Sequence, residues 1–404
     1  MTQTKPTVLN ISQNYYIRGG SDRIFFATTD LLKKRGHDVI PFTAADPRNE
    51  PTEWAAYFPV AANFERPGPI DLLRFIYSMP AVRAIRKQIS DHKPNIAHLH
   101  TYYGKLTGSI LAPLKKAGIP IVQTLHDYKL ICPVSLLVSN NQFCEACRGH
   151  QFWQAIPRRC NRNSFARTLL SVTECYISRF LGSVNAIGHF IAVSDFVRKK
   201  MLDHGIPAEK ISTIHNYIDA SGIEPTHRPG EYFLYFGRLE RLKGVFTLVE
   251  AAAPVTQTPL LIVGDGAARN ELAQSIARKN LKHIKLLGFK RGAELEQLIK
   301  DSICTLLPSE WYEPFPTTVL ESFAHARPVI ASSIGGITEM ITHGVNGFLV
   351  ETGNIEAMRE KMAWMAENPC KAVEMGMAGR KKVEAIFGPE AHYEKLLRVY
   401  QRYL

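Results

Sequence analysis

The segment Glu313-Pro314-Phe315-Pro316-Thr317-Thr318-Val319-Leu320-Glu321 sets two carboxylates eight positions apart around a proline able to open a helix. Pro316, Thr317 and Thr318 read as the first turn of that helix, whose free amides attract an anionic group such as a phosphate. Glu321 then lies about 7 Å along the axis, a reach suited to a carboxylate accepting hydrogen bonds from a ribose diol. Glu313, just before the helix, can bind the hydroxyls of a sugar on the other side of the phosphates. Further up the chain, Gly237-Arg238-Leu239-Glu240-Arg241-Leu242-Lys243-Gly244 offers the planar donor fork of Arg238 and the flexible point charge of Lys243, a pair fitted to a diphosphate. Taken singly, each feature has a plainer reading: a charge partner for a helix N-terminus in the case of either Glu, and an exposed basic loop in the case of 237–244.

Three further places carry the same kind of chemistry. Gly19 and Gly20 follow a strand-like run and lead into a helix, which lets backbone approach an anion near a helix start. His126-Asp127 ends the run Val122 to Leu125 inside an L-H-D-Y segment, a strand-end position where ligands gather in parallel sheets. Gly264-Asp265-Gly266 follows the run Leu260 to Val263. His98 and His100 alternate along one strand edge and read as buried packing residues. No G-x-G-x-x-G is present to argue for a nicotinamide or flavin cofactor.

The elements needed to position these residues are legible in the alternation of short β-rich runs with amphipathic helices, the rhythm of parallel sheets. A first cycle has strands at 7–12, 37–42, 96–99, 119–125, 190–193 and 211–214, with helices at 21–34, 70–89, 106–116 and 165–180. The stretch from Asp127 to Arg162 breaks the rhythm and reads as a functional excursion. After a Pro- and Gly-containing segment from Asp219 to Gly230, a second cycle has strands at 232–236, 260–263, 284–287, 304–307, 329–331 and 347–350, with helices from Val245, Arg269, Ala293, Pro316, Ile337 and Ile355. A length of 404 residues suits two cores. The expected division is 1–214 and 215–388, with a last helix after Gly388-Pro389 crossing back so that 389–404 joins the first domain.

Composition excludes several classes. With 45% apolar and 21% charged residues the chain is globular, and no run reaches the roughly 20 apolar residues of a membrane span. Met1 to Pro6 has no basic segment leading into an apolar stretch, so the expected location is the cytoplasm, with surface contact at its membrane a further expectation. The net charge of +12 is concentrated: residues 1–200 hold 26 Lys/Arg against 13 Asp/Glu, the remainder 23 against 24. Arg74, Arg83, Arg86, Lys87, Arg158, Arg159, Arg162 and Arg167 interleave with Leu72, Leu73, Phe75, Leu169 and Leu170, a pattern fitting an anionic membrane face or anionic acceptor as well as a solvated helix face.

Seven cysteines are present. Cys144 and Cys147 form a C-x2-C that Cys160 follows after twelve residues, with Cys132 upstream and His150 nearby. The spacing permits a structural zinc site without an evident complete fourth ligand, against a plain reading as loop cysteines.

In order and spacing, Gly19-Gly20, His126-Asp127-Tyr128, Gly237-Arg238 with Lys243-Gly244, Gly264-Asp265-Gly266 and the E-x7-E from Glu313 to Glu321 resemble the retaining glycosyltransferases of family 4, the group 1 glycosyltransferases. The resemblance covers most of the chain, with Pro316 where family members often have Gly. It implies the GT-B fold: an α/β architecture of two facing, doubly wound Rossmann-like domains with a cleft between them, the acceptor held by the first and the nucleotide sugar by the second. It implies that Arg238 and Lys243 bind the donor diphosphate, Glu321 the ribose and Glu313 the transferred sugar, with His126 near the reacting carbon. It implies no catalytic metal and no cofactor beyond a UDP- or GDP-sugar co-substrate, and a glycan or lipid-linked acceptor. A nucleotide-sugar epimerase of the same fold and a basic membrane-surface or nucleic-acid-binding protein are the rivals. Against nucleic acid, no recognition helix, RNP-like or zinc-finger pattern is found.

Overall fold

The computed structural model describes residues 5–64 and 66–404. The chain divides into two compact units, Met1–His215 with His392–Leu404, and Asn216–Ala391.

The first unit is built on β1 (Val8–Ile11), β2 (Val39–Phe42), β3 (Ile96–Leu99) and β4 (Ile121–Leu125), followed by a short antiparallel hairpin, β5 (Val138–Ser139) and β6 (Gln142–Phe143), and then β7 (His189–Ala192) and β8 (Ile211–Thr213). Its six-stranded parallel sheet has the order β2-β1-β3-β4-β7-β8. The second unit contains β9 (Tyr232–Phe236), β10 (Leu260–Val263), β11 (Ile284–Gly288), β12 (Ser302–Leu307), β13 (Val329–Ser332) and β14 (Gly347–Val350), in the parallel order β11-β10-β9-β12-β13-β14. Short runs rich in β-branched residues, such as VLNI, VIPF and VIAS, are buried along their whole length because helices cover both faces of a parallel sheet.

Helix starts follow local capping chemistry. Ser194 Oγ accepts from Val197 N to open Asp195–Asp203, and Asn354 Oδ1 accepts from Ala357 N to open Ile355–Glu367. The single helix expected over 70–89 is two, Pro69–Ile76 and Met79–His92. Ser78 Oγ accepts from Ala81 N and starts a new helix, with Pro80 fitted to its first turn. The helix expected over 106–116 opens as a 3-10 turn, Gly108–Ile110, before Leu111–Lys116. Asp195–Asp203 and Pro369–Ile386 were not legible as helices in the sequence reading. The latter packs on Thr317–Ala324, where the bare Gly379 is pressed so close to the Phe323 ring that an added Cβ would lie 2.3 Å from Cδ1.

The C-terminal helix, Pro389–Gln401, is tied to the first sheet by Tyr393, whose hydroxyl is 3.0 Å from His37 Nε2, and by Tyr400, whose hydroxyl is 2.7 Å from His98 Nδ1.

Candidate functional site

In an open parallel sheet, the loops at the carboxyl ends of two neighbouring strands diverge where the strand order reverses, and ligands bind in that opening. In the second unit the reversal falls between β9 and β12. The loop after β9 is Gly237 to Gly244, and the loop after β12 runs from Pro308 to Pro316.

These two loops are in backbone contact. Gly244 has φ +69°, and a Cβ there would stand 1.8 Å from the Pro308 carbonyl oxygen, so only glycine permits the approach. The neighbouring Lys243 thereby reaches Glu313, with Nζ 2.6 Å from Oε1. Ser309 Oγ donates to the same oxygen at 2.5 Å, and the Lys243 ammonium lies 5.0 Å from the centre of the Trp311 ring. Glu313 is buried, which by itself pushes its carboxyl pKa up. The Lys243 charge and the hydrogen bonds from Lys243 and Ser309 outweigh burial and hold it below the usual range. Glu313 is therefore ionised at neutral pH. Sequence reasoning put Lys243 on a diphosphate and Glu313 on a sugar; the fold joins them as one charge-balanced unit.

Arg238 is separate from that pair. Nearly half exposed, it bonds Glu240 through Nη1 at 2.9 Å, a surface contact weak enough to be exchanged for an anion. The buried Tyr235 hydroxyl donates to the Arg238 carbonyl at 2.8 Å and holds the loop down. Gly264, after β10, has φ +141°, and a Cβ there would lie 1.8 Å from the Gly237 carbonyl oxygen. Packing alone thus demands glycine at 264, whether or not a ligand touches it.

The helix after β12 begins at Thr317, with Pro316 as the extended residue just outside it, one position later than the sequence reading placed the turn. Thr317 and Thr318 occupy its first two positions, where amides have no intrahelical acceptor. Val319 N bonds back to the Pro316 carbonyl. Glu321 is half-buried one turn further along. A shallow depression of about 400 Å³ lined by Glu224, Thr226, Arg228 and Lys300 lies at the other end, before β9 and β12 begin, away from these groups.

In the first unit the order reverses between β1 and β3. Gly19 and Gly20 open the helix Gly20–Lys34 after β1. Asp22 Oδ2 accepts from the amides of Arg18 (3.0 Å) and Gly19 (3.1 Å), and burial raises its pKa despite those bonds. Gly19 has an extended backbone that any residue can adopt, and nothing lies within 4 Å of where its Cβ would be. Its lack of a side chain leaves open space above the helix start.

His126, after β4, is 2.9 Å through Nε2 from His100 Nδ1, with the rings stacked at 5.1 Å. His98 stacks on His100 at 4.5 Å and is held between Thr124 Oγ1 (2.8 Å) and Tyr400. Burial, with the neighbouring His392 next in effect, pushes His126 down to about 3; burial and the surrounding histidines do the same to His98. The row is neutral at physiological pH, so His126 offers a neutral hydrogen-bonding ring. Sequence reasoning set His98 and His100 aside as packing. They are buried, but His100 also orients His126, a role legible only from β3 pairing with β4, which sets these side chains on one face. Lys129, in the same segment, is anchored by a buried 2.7 Å ion pair with Glu174.

Two parallel-sheet Rossmann-like units, each carrying its polar groups where the strand order reverses, define a protein of the GT-B fold. The chain belongs to the group 1 glycosyltransferases of family 4 type: residues 18–221 match the family model described as Glycosyltransferase Family 4, and residues 222–382 that described as Glycosyl transferases group 1. The chain is 28% identical over 232 residues to the amylovoran biosynthesis glycosyltransferase AmsK of Erwinia amylovora, a match covering 52% of this chain and 56% of that protein. It is 27% identical over 237 residues to the D-rhamnosyltransferase WbpZ of Pseudomonas aeruginosa, covering 55% and 60%. The match thus spans little more than half the length of these relatives. Among solved structures, Anabaena HepE in complex with UDP has a TM-score of 0.68 at 19% identity, covering 98% of this chain and 100% of that one. The sucrose-phosphate synthase of Thermosynechococcus elongatus has 0.75 at 19%, covering 98% of each. At such identities the likeness is one of fold. No helix among the described residues is long and apolar enough to cross a membrane.

Proposed function

We propose that this protein is a retaining glycosyltransferase that moves a hexose-type sugar from a UDP- or GDP-sugar to a hydroxyl of a glycan or lipid-linked acceptor, in cell-surface polysaccharide synthesis. The observation that carries this reading is the Lys243–Glu313 pair at the reversal point of the second sheet, beside the open amide end of Thr317–Ala324. Residues 215–388 serve as the donor domain and 1–214, with 389–404, as the acceptor domain.

In this reading Arg238 and the first amides of the Thr317 helix offset the charge that develops on the leaving diphosphate, and Lys243, its charge shared with Glu313, donates a further hydrogen bond to it, so the reaction needs no catalytic metal. Glu313 accepts hydrogen bonds from hydroxyls of the transferred sugar while its own charge is balanced by Lys243. Glu321 accepts from the ribose diol. The transition state is oxocarbenium-like. The acceptor attacks from the face the diphosphate leaves, which takes the acceptor's proton, and the anomeric configuration is retained. Neutral His126, steadied by His100, hydrogen-bonds a hydroxyl of the transferred sugar. Gly19 and Gly20 leave room for an anionic group at the helix start.

A contact with an anionic membrane face fits the same role. Helices Pro69–Ile76 and Phe165–Phe180 pack together and leave Leu73 and Phe180 exposed, at 68% and 91%, on helices that also carry Arg74 and Arg167. The relatives named for amylovoran biosynthesis and for D-rhamnosyl transfer support sugar transfer.

The deciding experiment is thermal stabilisation by UDP, GDP, ADP and their sugar conjugates, with and without EDTA, on the wild type and Glu321→Ala. A ligand at about 100 times its Kd should add roughly 2.7 kcal/mol. Stabilisation by one diphosphate, unaffected by EDTA and weakened in the variant, is the expected result; no response to any nucleotide would overturn the reading.

A further inference from the structure

The irregular excursion after His126 collects four of the seven cysteines, and the proposed transfer reaction uses none of them. Cys132 N bonds to the Tyr128 carbonyl at 2.8 Å, so this cysteine sits in the turn that leaves the H-D-Y segment. The chain then forms the β5–β6 hairpin, and Cys144 follows it directly, its amide 2.8 Å from the Leu137 carbonyl. Cys147 ends the next turn, in which Arg148 N bonds to the Glu145 carbonyl. Cys160 returns to the hairpin, its Sγ 3.6 Å from Ser139 Oγ. Cys147 and Cys160 both pack against the small cluster of Phe152, Ala155, Val172 and Cys175.

Hence a C-x11-C-x2-C-x12-C spacing is folded so that all four cysteines lie in the turns and loop around one hairpin. Ser135 N bonds to the Cys132 carbonyl at 2.9 Å, so the turn that holds Cys132 runs directly into the hairpin. None of the seven cysteines is in a disulfide among the described residues. Among the described residues, eight of the twelve non-glycine positions with positive φ lie from Ser135 to Asn163. The regular structure of this segment is one short hairpin and the 3-10 turns Arg148–His150 and Phe152–Ala155, and a cross-link among the cysteines would hold such a segment in a single form.

We propose that Cys132, Cys144, Cys147 and Cys160 form a tetrathiolate site for one zinc ion, with Cys132 as the fourth ligand. A C-x2-C turn beside a hairpin, completed by two distant cysteines, is the donor set that soft thiolates offer to Zn2+. A filled tetrahedron with Zn–S bonds of about 2.3 Å has edges of about 3.8 Å. Among the described residues no three of these sulfurs lie within 4.8 Å of one another, so binding must draw the side chains together. His150 is not the fourth ligand: its ring lies against Phe152 and Gly205 instead. On binding, four thiols release four protons and the site carries a net charge of −2. The ion ties Cys132, and through it Tyr128, to the hairpin, bracing the segment that begins at His126.

The test is metal content of the full chain purified under reducing conditions from zinc-supplemented cells, with Cys132→Ser, Cys147→Ser and the exposed Cys370→Ser as variants. About one zinc per chain is expected in the wild type and Cys370→Ser, with a drop of at least about tenfold in the other two. Cobalt exchanged into the wild type should give the intense visible bands of tetrahedral thiolate coordination together with a sulfur-to-metal charge-transfer band, a readout that survives if the variants fail to fold. Wild-type protein without stoichiometric zinc and without those cobalt bands would overturn the proposal. So would undiminished zinc in Cys132→Ser, or fewer than seven titratable thiols in denaturant without reductant, which would mark a disulfide.

Discussion

Lys243 Nζ and Glu313 Oε1 stand 2.6 Å apart although 70 residues separate them, because the loop after β9 and the loop after β12 touch at Gly244 and Pro308. The pair is shielded from water, so removing one partner strands the other. Lys243→Met should destabilise the second unit by about 3 kcal/mol or more. Adding Glu313→Gln to it should recover much of that loss, since the uncompensated carboxylate is gone. Equal melting temperatures for Lys243→Met and the double variant would show that the two groups are not energetically coupled.

Glu321 belongs to nucleotide recognition in the proposed reaction and should matter little for folding. Glu321→Ala is expected to weaken UDP or GDP binding about 10- to 100-fold, the loss of hydrogen bonds to a charged acceptor. Calorimetric titration with the nucleotide and with its 2′,3′-dideoxy analogue separates the causes. The wild type should prefer the ribose form, and the variant should bind both alike.

Gly244→Ala should lower stability and nucleotide affinity together. The added methyl meets the Pro308 carbonyl, and φ +69° disfavours any side chain. Chemical denaturation should register a loss of more than about 1 kcal/mol; wild-type stability in this variant would mean that the two loops are not locked.

The histidine row makes stability depend on pH. His98 and His126 titrate near 3 in the folded chain and His392 near 4, against an ordinary value of 6.5. Between those limits the unfolded chain takes up protons that the folded row refuses. The stabilisation is therefore complete above about pH 6.5 and is lost as pH falls toward 3 to 4, by up to about 1.4 kcal/mol per unit for each ring. Urea unfolding from pH 4.5 to 7 should show a shallower slope in His98→Gln than in the wild type. Parallel slopes would count against a buried neutral ring at 98.

His126→Asn is expected to reduce kcat by about 100-fold or more while leaving nucleotide affinity near that of the wild type, because the ring serves the transferred sugar rather than the base or phosphates. His100→Ala should give a smaller kcat loss through misorientation of His126. Single-turnover rates with the matched donor measure both, and an unchanged kcat in His126→Asn would remove it from the reaction.

What the chain determines locally was legible in its order of residues. The strands are runs such as VIPF and LLIV, whose uninterrupted apolar character belongs to sheets covered on both faces, and the E-x7-E segment announces a helix start between two carboxylates. Helix ends were harder: Ser78 and Pro80 divide one amphipathic stretch into two, and Pro316 caps its helix from outside. Only the tertiary structure decided which distant groups meet. Strand order set the loops of β9 and β12 side by side and so brought Lys243 and Glu313 into contact. The pairing of β3 with β4 turned two histidines that read as packing into the support of His126. Gly264, a ligand candidate by its spacing, proved to be required by the close approach of the Gly237 backbone, whose carbonyl oxygen an added Cβ would meet at 1.8 Å. Each of these depends on contacts across tens of residues, which propensity and periodicity do not encode, since both act over a few residues while register and strand order arise from how whole elements bury their faces against one another.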